Sequence, residues 1–279
     1  MTLPIINVQE TTAKKAFVTS LRETGFAVLD RHPISLEQIN RIYALWGDFF
    51  NSEEKHQYAF DTKTHAGFVC ASQSETAKGS ALKDLKEFFH YFPGCDLPES
   101  LRSETQALFE CMQRFASELL DWIQDELPDS IRAQLTQSLS SMIDRSPHTL
   151  LRLLHYPPVR GDFPAGAIRA AAHEDISLLT LLPSATEKGL QVQLKDGTWE
   201  DVPCQQGWLI VNVGDMLAEC TAHYLEATSH RVINPEGADL HRSRISCPLF
   251  LHANDEVALS ERHTAASYRR ERFKELGLL

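Results

Sequence analysis

Residues 171–182, AAHEDISLLTLL, are the stretch on which the fold and the chemistry of this chain depend. Leucine and isoleucine crowd its second half, which predicts a buried β-strand. His173 and Asp175 stand at its head, and side chains two apart on a strand point to the same face. A charged group beside so much apolar surface is unfavourable unless it is paired or bound to a metal. The pair therefore predicts a partner or a metal ion at this end of the strand.

His230 is the candidate third member of a metal site. It lies in ATSHRVINP, another strand-like run that is bounded by Pro235. Two imidazoles and one carboxylate on one side of an ion are the ligand set of non-haem Fe(II) oxygenases, and they leave other coordination positions open. The alternative is a buried hydrogen bond between His173 and Asp175, which the pair taken alone favours.

A second pair of polar residues lies in the apolar run HRSRISCPLFL. Arg244 and Ser246 are two apart on a predicted strand and so share a face. A guanidinium binds a carboxylate through two parallel hydrogen bonds, and a neighbouring hydroxyl adds a third. The alternative is a structural ion pair with one of the 38 acidic residues. The short distance in sequence from His230 to Arg244 favours a carboxylate-binding pair beside the metal site.

The composition indicates a globular protein with a substantial core. The chain has 279 residues, of which 43% are hydrophobic, and this suits one large domain or two small ones. A formal net charge of −11 argues against nucleic-acid binding and against docking on an anionic membrane. The chain shows neither a signal peptide nor a transmembrane run, and its six scattered cysteines include no Cys-x-x-Cys pair. We therefore expect a cytoplasmic protein in a reducing compartment.

The first half of the chain is predicted to be mainly helical. One helix ends at Gly25 and is followed by a short strand, Phe26–Asp30. Ser35 and Gln38 form a possible capping box that opens a second helix. A third helix carries an apolar stripe from Leu108 to Trp122, spaced alternately by four and three residues. We interpret that stripe as core packing.

The second half changes to short apolar runs separated by turns. Beginning at Leu151, these runs predict an all-β sandwich or barrel. Asp196-Gly197 is a strong hairpin signal within them. The last segment predicts a helix with Thr264 as a possible N-cap. The expected architecture is a helical N-terminal part, a β-rich core and a closing helix.

These motifs, taken in order, resemble the isopenicillin N synthase-like family of Fe(II)- and 2-oxoglutarate-dependent oxygenases. The similarity runs nearly from end to end, and its specificity lies in the ordered combination. The stretches that carry it are LPIINV, LRETGFAVLD, WGDFFNSEEKHQY, DLKEFFHY, LLRLLHYPP, AAHEDISLLTLL, GLQVQLKDGTWEDVP, GWLIVNVGDML, SHRVINP, RISCPLFL and YRRERFKELGL.

The resemblance implies a fold and a reaction. The fold is a mainly β protein with flanking helices, with a double-stranded β-helix, or jelly roll, at its centre. Residues 1–100 would form the N-terminal helical and strand region, and residues 101–279 the jelly-roll core with its C-terminal helix, as one compact unit. The reaction is the oxidation of a small-molecule substrate, with hydroxylation as the default outcome. It needs Fe(II), 2-oxoglutarate as co-substrate and dioxygen.

The resemblance also implies roles for individual residues. His173, Asp175 and His230 would hold Fe(II). Arg244 and Ser246 would bind the distal carboxylate of 2-oxoglutarate, and the tyrosine of LHYPP, Tyr156, matches one that commonly points at a bound carboxylate. A core tyrosine is the alternative for that position. Asn212 matches a position near the metal. Phe68, Phe88 and Phe250 are candidates for lining the substrate pocket, and core packing is the alternative for each.

Several departures keep other functions open. Many plant members have Asn two residues before the tyrosine, where this chain has Leu154, and this departure concerns how the metal-proximal end of 2-oxoglutarate is held. RHPIS lacks the glycine of the family pattern, which affects a turn and not the chemistry. HEDISLLT is close to isopenicillin N synthase itself, an enzyme that uses no 2-oxoglutarate. The alternatives are therefore an Fe(II) oxidase or cyclase of that kind and a non-catalytic jelly-roll sensor of a small acid or metal. A zinc hydrolase would leave Arg244 unexplained. The sequence makes no prediction of the oligomeric state.

Overall fold

The computed structural model describes residues 3–74, 83–158 and 167–275. Helices dominate the first half of the chain, and strands dominate the second. The helices are α1 (Ala13–Thr24), α2 (Leu36–Asn51), α3 (Glu99–Glu126), α4 (Asp129–Arg132), α5 (Asp215–Cys220) and α6 (Ala265–Glu275). The strands are β1 (Ile5–Asn7), β2 (Phe26–Asp30), β3 (Gly67–Val69), β4 (Glu87–Tyr91), β5 (Leu150–Tyr156), β6 (Ala170–His173), β7 (Leu179–Pro183), β8 (Leu190–Gln193), β9 (Trp199–Asp201), β10 (Leu209–Val213), β11 (His230–Val232), β12 (Arg244–Ser246) and β13 (Leu249–Leu251).

Two sheets form the centre of the molecule. The large sheet has the order β1-β2-β10-β7-β13-β5-β4-β3, with β12 also paired to β5. The small sheet has the order β6-β11-β8-β9. One apolar cluster contains side chains of both sheets, such as Ile210 of β10 and Val192 of β8, so the sheets face each other. With helices packed around it, this is the jelly roll that the family resemblance implies.

The central strands of the large sheet are covered on both faces. In β10, Leu209, Val211 and Val213 belong to the helix-side core, whereas Ile210 belongs to the cluster between the sheets. Asn212 has the same parity as Ile210 and points into the barrel. This double covering explains why the strands read as nearly continuous apolar runs. Polar residues occur on both faces: Asn212 points into the barrel, whereas His155 of β5 stacks on Phe50 of α2 on the helix side.

The helices predicted for the first half are confirmed, including the residues at which α1 ends and α2 begins. Gly25 closes α1 with φ of 72°, and its N–H donates to Leu21 O. A Cβ at this glycine would lie 2.1 Å from Thr228 Oγ1, so both the conformation and the contact require its absence. Ser35 Oγ accepts a hydrogen bond from Gln38 N at 3.1 Å at the start of α2. The apolar stripe of α3 lies in the helix-side core, as predicted.

The prediction of one continuous strand for residues 171–182 is wrong. Strand β6 ends at His173, and β7 begins at Leu179 in the other sheet. The chain turns between them because it crosses from the small sheet to the large one. Asp175 O accepts the N–H of Asp215, and Ser177 O lies against Gly214, which anchors this turn on the start of α5. His173 and Asp175 therefore meet across a turn and not along one strand face.

The other predicted strands are present, although one of them is divided into two shorter strands. RISCPLFL divides into β12 and β13 around Pro248, which has no N–H for a sheet and whose carbonyl accepts from Arg152 N at 2.9 Å. The hairpin at Asp196-Gly197 joins β8 to β9, as predicted. Thr264 Oγ1 caps α6 by accepting from Ser267 N at 3.2 Å.

Among the described helices, none has both the length and the apolar character to cross a membrane.

Candidate metal centre

Three side chains predicted as metal ligands meet at one end of the barrel. His173 is the last residue of β6, and His230, the first residue of β11, lies directly opposite it in the antiparallel pair. Asp175 enters from the turn after β6. One possible ligand atom from each residue lies within 4.8 Å of the other two. Asp175 Oδ1 lies 3.8 Å from His173 Nε2 and 3.7 Å from His230 Nε2.

Two polar side chains of the large sheet orient the Asp175 carboxylate. Thr180 Oγ1 donates to Asp175 Oδ2 at 2.6 Å, and Asn212 Nδ2 donates to the same oxygen at 2.8 Å. Thr180 and Asn212 are cross-strand partners on β7 and β10. Both bonds converge on Oδ2, so Oδ1 is the oxygen that faces the two imidazoles. The family resemblance places Asn212 near the metal, as found here, but it does not identify Thr180.

Backbone carbonyls orient the two histidines. The Nδ1 atom of His173 lies 2.8 Å from Ala171 O, and that of His230 lies 3.1 Å from Thr228 O. A carbonyl can only accept, so each Nδ1 carries the proton and each Nε2 presents a lone pair. The Phe26 ring packs edge-on against His230 with centroids 5.5 Å apart. Both rings are thereby held with Nε2 toward the aspartate.

The charge state of the group suits a metal ion. Desolvation, and then the neighbouring His230, lower the pKa of His173 to about 4, although 41% of its side chain is exposed. Burial disfavours ionised Asp175, but the two histidines and the hydrogen bonds of Asn212 and Thr180 leave its pKa below the ordinary value. Neutral imidazoles and an ionised carboxylate are the forms that bind metals.

The donor set fits Fe(II). Two imidazole nitrogens and one carboxylate oxygen lie on one side of a shared point, the arrangement found in non-haem Fe(II) oxygenases. No other group of three or more His, Cys, Asp or Glu side chains comes together in this way within residues 3–74, 83–158 and 167–275. The buried His–Asp pair considered from the sequence is thus part of a three-residue cluster.

Arg244, Ser246 and Tyr156 also meet inside the barrel. Arg244 of β12 is directly opposite Tyr156 of β5, and its guanidinium lies 5.1 Å from the tyrosine ring centre. Its Nη1 donates to Ser246 Oγ at 3.3 Å, and its Nε donates to Glu187 O at 2.9 Å. Only 2% of Arg244 is exposed. Within the described part of the chain no carboxylate forms an ion pair with it, so the structural ion pair considered from the sequence is absent there.

Arg169 is a buried cation that the sequence interpretation missed. It is 1% exposed, and its guanidinium lies 5.9 Å from the ring centre of Tyr156. Burial, and then Arg244, lower its pKa to about 10. The signal was present in IRAAAH, where an arginine precedes the small apolar residues that lead to His173. Arg169 lies just before β6, however, whereas Arg244 lies within β12, so the local pattern at Arg169 is weaker.

A mixed aromatic and basic wall lines another part of the barrel interior. Arg152 of β5 lies with its guanidinium 4.8 Å from the ring centre of Phe88 and 5.4 Å from that of Phe250. Its Nε donates to His90 Nε2 at 2.9 Å. Two of the three phenylalanines proposed for the pocket or the core are therefore in this wall. Phe68 instead packs in the helix-side core.

Comparison with known proteins identifies the family. Residues 147–253 match the family model of the 2OG-Fe(II) oxygenase superfamily. Residues 3–112 match the model described as the N-terminal region of non-haem dioxygenase in morphine synthesis. The proline hydroxylase buaE of Petromyces alliaceus is 31% identical over an alignment of 305 positions, gaps included, which covers 93% of each protein. The chain belongs to the 2OG-Fe(II) oxygenase superfamily, in the branch that includes isopenicillin N synthase-like and plant dioxygenases.

Solved structures agree with this assignment. An oxygenase from Shewanella oneidensis has 52% sequence identity and a TM-score of 0.91 over the full length of both chains. A 2OG-Fe(II) oxygenase family protein from Caulobacter crescentus has 27% identity and a TM-score of 0.80, covering 98% of this chain and 99% of its own. A full-length protein of Neurospora crassa, solved in complex with alpha-KG, has 22% identity and a TM-score of 0.80 with 98% and 95% coverage, which shows the shared fold.

The protein is therefore a non-haem Fe(II)- and 2-oxoglutarate-dependent dioxygenase, an enzyme of a family that acts on small molecules. This conclusion favours the first interpretation of the sequence over the 2-oxoglutarate-independent oxidase, the non-catalytic sensor and the zinc hydrolase.

Proposed function

We propose that this enzyme hydroxylates a small organic molecule, with His173, Asp175 and His230 as the Fe(II) ligands. The observation that carries the proposal is the convergence of three correctly protonated donors on one side of a shared point. When bound there, Fe(II) supplies the reaction of dioxygen with 2-oxoglutarate that generates the oxidant for substrate hydrogen abstraction. The protein's task is to hold the donors, place both organic substrates and keep water out.

Arg244, Ser246 and Tyr156 bind the distal carboxylate of 2-oxoglutarate in this proposal. The guanidinium and the hydroxyl are already joined by a hydrogen bond, so their donors converge on one region. Their burial supports the proposal because a buried guanidinium without an acidic partner is unfavourable until an anion arrives. Leu154, which replaces the asparagine of many plant relatives, belongs to the apolar cluster between the sheets and adds no hydrogen bond.

The substrate lies against the wall of Phe88, Arg152 and Phe250 in this proposal. The three side chains bring two flat apolar rings and one cation to the inner face of the large sheet. Such a surface suits a compact molecule with an apolar body and a carboxylate or carbonyl. An amino acid meets that description, and the similarity to a proline hydroxylase makes free L-proline the first compound to test.

The test is a product analysis under turnover conditions. Purified enzyme with Fe(II), ascorbate and 2-oxoglutarate is incubated with L-proline and then with a panel of small acids, and succinate and oxidised products are quantified by mass spectrometry. Hydroxylation adds one oxygen atom to the substrate, whereas desaturation removes two hydrogen atoms. We expect a hydroxylated product formed together with succinate, and none with Asp175→Ala. Desaturated or cyclised products alone would overturn hydroxylation.

A further inference from the structure

Arg169 has a buried charge that the contacts of the described chain leave without a counter-ion. It is 1% exposed, and its Nε has no hydrogen-bond partner among the described residues. Its Nη2 donates to the carbonyl oxygen of Arg242 at 2.9 Å, which is a neutral acceptor. Glu187, the acidic residue whose charge acts on it, pairs instead with Arg242 at 3.5 Å. An isolated charge in such surroundings is costly, so the site favours an anionic ligand.

Arg169 and Arg244 both lie against the ring of Tyr156. Their guanidinium carbons lie 5.9 Å and 5.1 Å from the centre of the Tyr156 ring. Arg169 also donates a hydrogen bond to the carbonyl oxygen of Arg242, which is two residues before Arg244 in the chain. The two like charges repel, and Arg244 contributes to the lowered pKa of Arg169. A negative charge near both would relieve the burial of each and their mutual repulsion.

We propose that Arg169 is a second anchor for 2-oxoglutarate and binds its distal carboxylate together with Arg244. The inference rests on the proposed function, in which Arg244 and Ser246 already face that carboxylate. A carboxylate has two oxygens with about four acceptor directions, so it can accept from Ser246 and from both guanidiniums. Arg169 thus supplies the second positive charge for the end of the co-substrate that does not bind the metal.

A purely structural role makes a different prediction. In that role Arg169 would serve only to support the loop at Arg242 and to pack against Tyr156. Loss of such support would disturb every ligand in the barrel. Loss of a carboxylate anchor would weaken only ligands that have the distal carboxylate. 2-Oxopentanoate separates the two roles because it keeps the 2-oxo acid end and the five-carbon chain of 2-oxoglutarate but lacks the second carboxylate.

The experiment is calorimetric titration of the full-length protein, anaerobically and with Mn(II) in place of iron. 2-Oxoglutarate and 2-oxopentanoate are titrated into wild type, Arg169→Gln and Arg169→Lys, and Mn(II) affinity is measured separately. We expect Arg169→Gln to weaken 2-oxoglutarate binding about 10- to 100-fold, the range for a hydrogen bond to a charged group. Its affinities for 2-oxopentanoate and Mn(II) stay at wild-type values. Arg169→Lys recovers part of the loss because it keeps the charge without the planar fork.

The matched control is Arg22→Gln. Arg22 also lies over an aromatic ring, 4.8 Å from the centre of Tyr224, but it is exposed on α1. Its removal should leave both ligand affinities unchanged. If Arg169→Gln does not fold, Arg244→Gln provides the second test: with Arg169 still present, it should keep a severalfold preference for 2-oxoglutarate over 2-oxopentanoate.

Three outcomes would overturn the inference. In the first, Arg169→Gln binds 2-oxoglutarate like wild type, and in the second it loses both 2-oxo acids equally. In the third, Arg244→Gln shows no preference between them. In each of these cases wild type still binds 2-oxoglutarate, and the proposed function stands. Failure of wild type itself to bind 2-oxoglutarate would overturn the proposed function as well.

Discussion

At the scale of single residues, the candidate metal centre depends on neutral hydrogen bonds as much as on its charged groups. Thr180 and Asn212 both bind Asp175 Oδ2, which leaves Oδ1 toward the histidines. Backbone carbonyls fix the proton on Nδ1 of each imidazole. Such partners of metal ligands commonly contribute about 10- to 100-fold in metal affinity. The two polar side chains are therefore as testable as the ligands themselves.

We expect Asn212→Ala to weaken Mn(II) binding by about 10- to 100-fold, because Asp175 would lose one of the two donors that orient its carboxylate. Thr180→Val, which keeps the side-chain shape, should act in the same direction. Equilibrium titration of the apoprotein with Mn(II), followed by electron paramagnetic resonance, measures the change. Asn51→Ala is the control, since Asn51 binds a backbone carbonyl at the exposed end of α2. Unchanged metal affinity in both site variants would refute this role.

His252 gives a residue-scale prediction about pH. Burial, and then Arg269 and His148, lower its pKa to about 4, whereas an unfolded histidine titrates near about 6.5. As pH falls from about 6.5 toward 4, the unfolded chain takes up a proton that the folded protein does not, so stability is lost. Asp215, with a pKa raised to about 6, acts in the opposite direction. The difference in the pH dependence of stability between wild type and a His252 variant therefore isolates the contribution of His252, because Asp215 is present in both.

We expect His252→Gln to lose less stability than wild type between pH 7.5 and pH 5, by about 1–2 kcal/mol. Urea unfolding of the metal-free proteins at both pH values gives the free energies. His241→Gln removes an exposed histidine and should retain the wild-type pH dependence. Parallel curves for wild type and His252→Gln would show that His252 does not stay neutral in the folded protein.

At the scale of secondary-structure elements, the turn between β6 and β7 positions Asp175. Its backbone is joined to the start of α5 by the bond from Asp215 N to Asp175 O at 2.7 Å. Gly214 allows this approach: a Cβ there would lie 2.0 Å from Ser177 O. Its φ of −105° is ordinary, so the requirement for glycine arises from the contact and not from backbone conformation. The start of α5 thus packs against the turn that holds the aspartate.

We expect Gly214→Ala to lower the free energy of unfolding by at least about 1–3 kcal/mol, the usual effect of overpacking, and to weaken Mn(II) binding. The added methyl group must displace the backbone two residues after Asp175. Urea unfolding and Mn(II) titration measure the two effects. Gly197→Ala is a useful contrast, because its Cβ would meet nothing within 4 Å, although its φ of 85° adds strain. That variant should lose stability without losing metal affinity. Wild-type metal affinity in Gly214→Ala would show that the contact does not position Asp175.

The sequence predicts the elements better than it predicts their connections. Strand Phe26–Asp30 and the caps at Gly25 and Ser35 follow from local patterns, and the structure confirms them. The break after His173 has no local cause, because the chain leaves one sheet for the other there, and periodicity does not report such a crossing. Arg169 was missed for a related reason: its importance arises from Arg244, which is distant in sequence and near in space.

At the scale of the whole molecule, the main core and the candidate site are separate. The larger apolar cluster lies between the large sheet and the helices, whereas Asn212, which binds Asp175, faces the barrel interior on the other side of that sheet. Leu119 of α3 is fully buried in that cluster. Stability and metal binding should therefore respond to different substitutions.

We expect Leu119→Ala to lower the free energy of unfolding by about 2–5 kcal/mol, as for other large-to-small core substitutions, with no change in Mn(II) affinity. Chelation of metal, or Asp175→Ala, should have the reverse effect: the far-UV circular dichroism stays that of the folded protein, and metal binding is lost. Circular dichroism, urea unfolding and Mn(II) titration on all three samples provide the comparison. Unfolding on chelation alone would contradict a fold that is independent of the metal.

The central claim is that His173, Asp175 and His230 hold the Fe(II) that drives 2-oxoglutarate turnover. The most direct test is the release of labelled carbon dioxide from 2-oxoglutarate that carries the label in the carboxylate next to its keto group. The assay includes a substrate found in the product screen, and the label reports the co-substrate reaction itself. We predict release by wild type that depends on Fe(II) and dioxygen, and none above background from Asp175→Ala at equal folded concentration. Release by Asp175→Ala at the wild-type rate and with the wild-type Fe(II) requirement would contradict the claim.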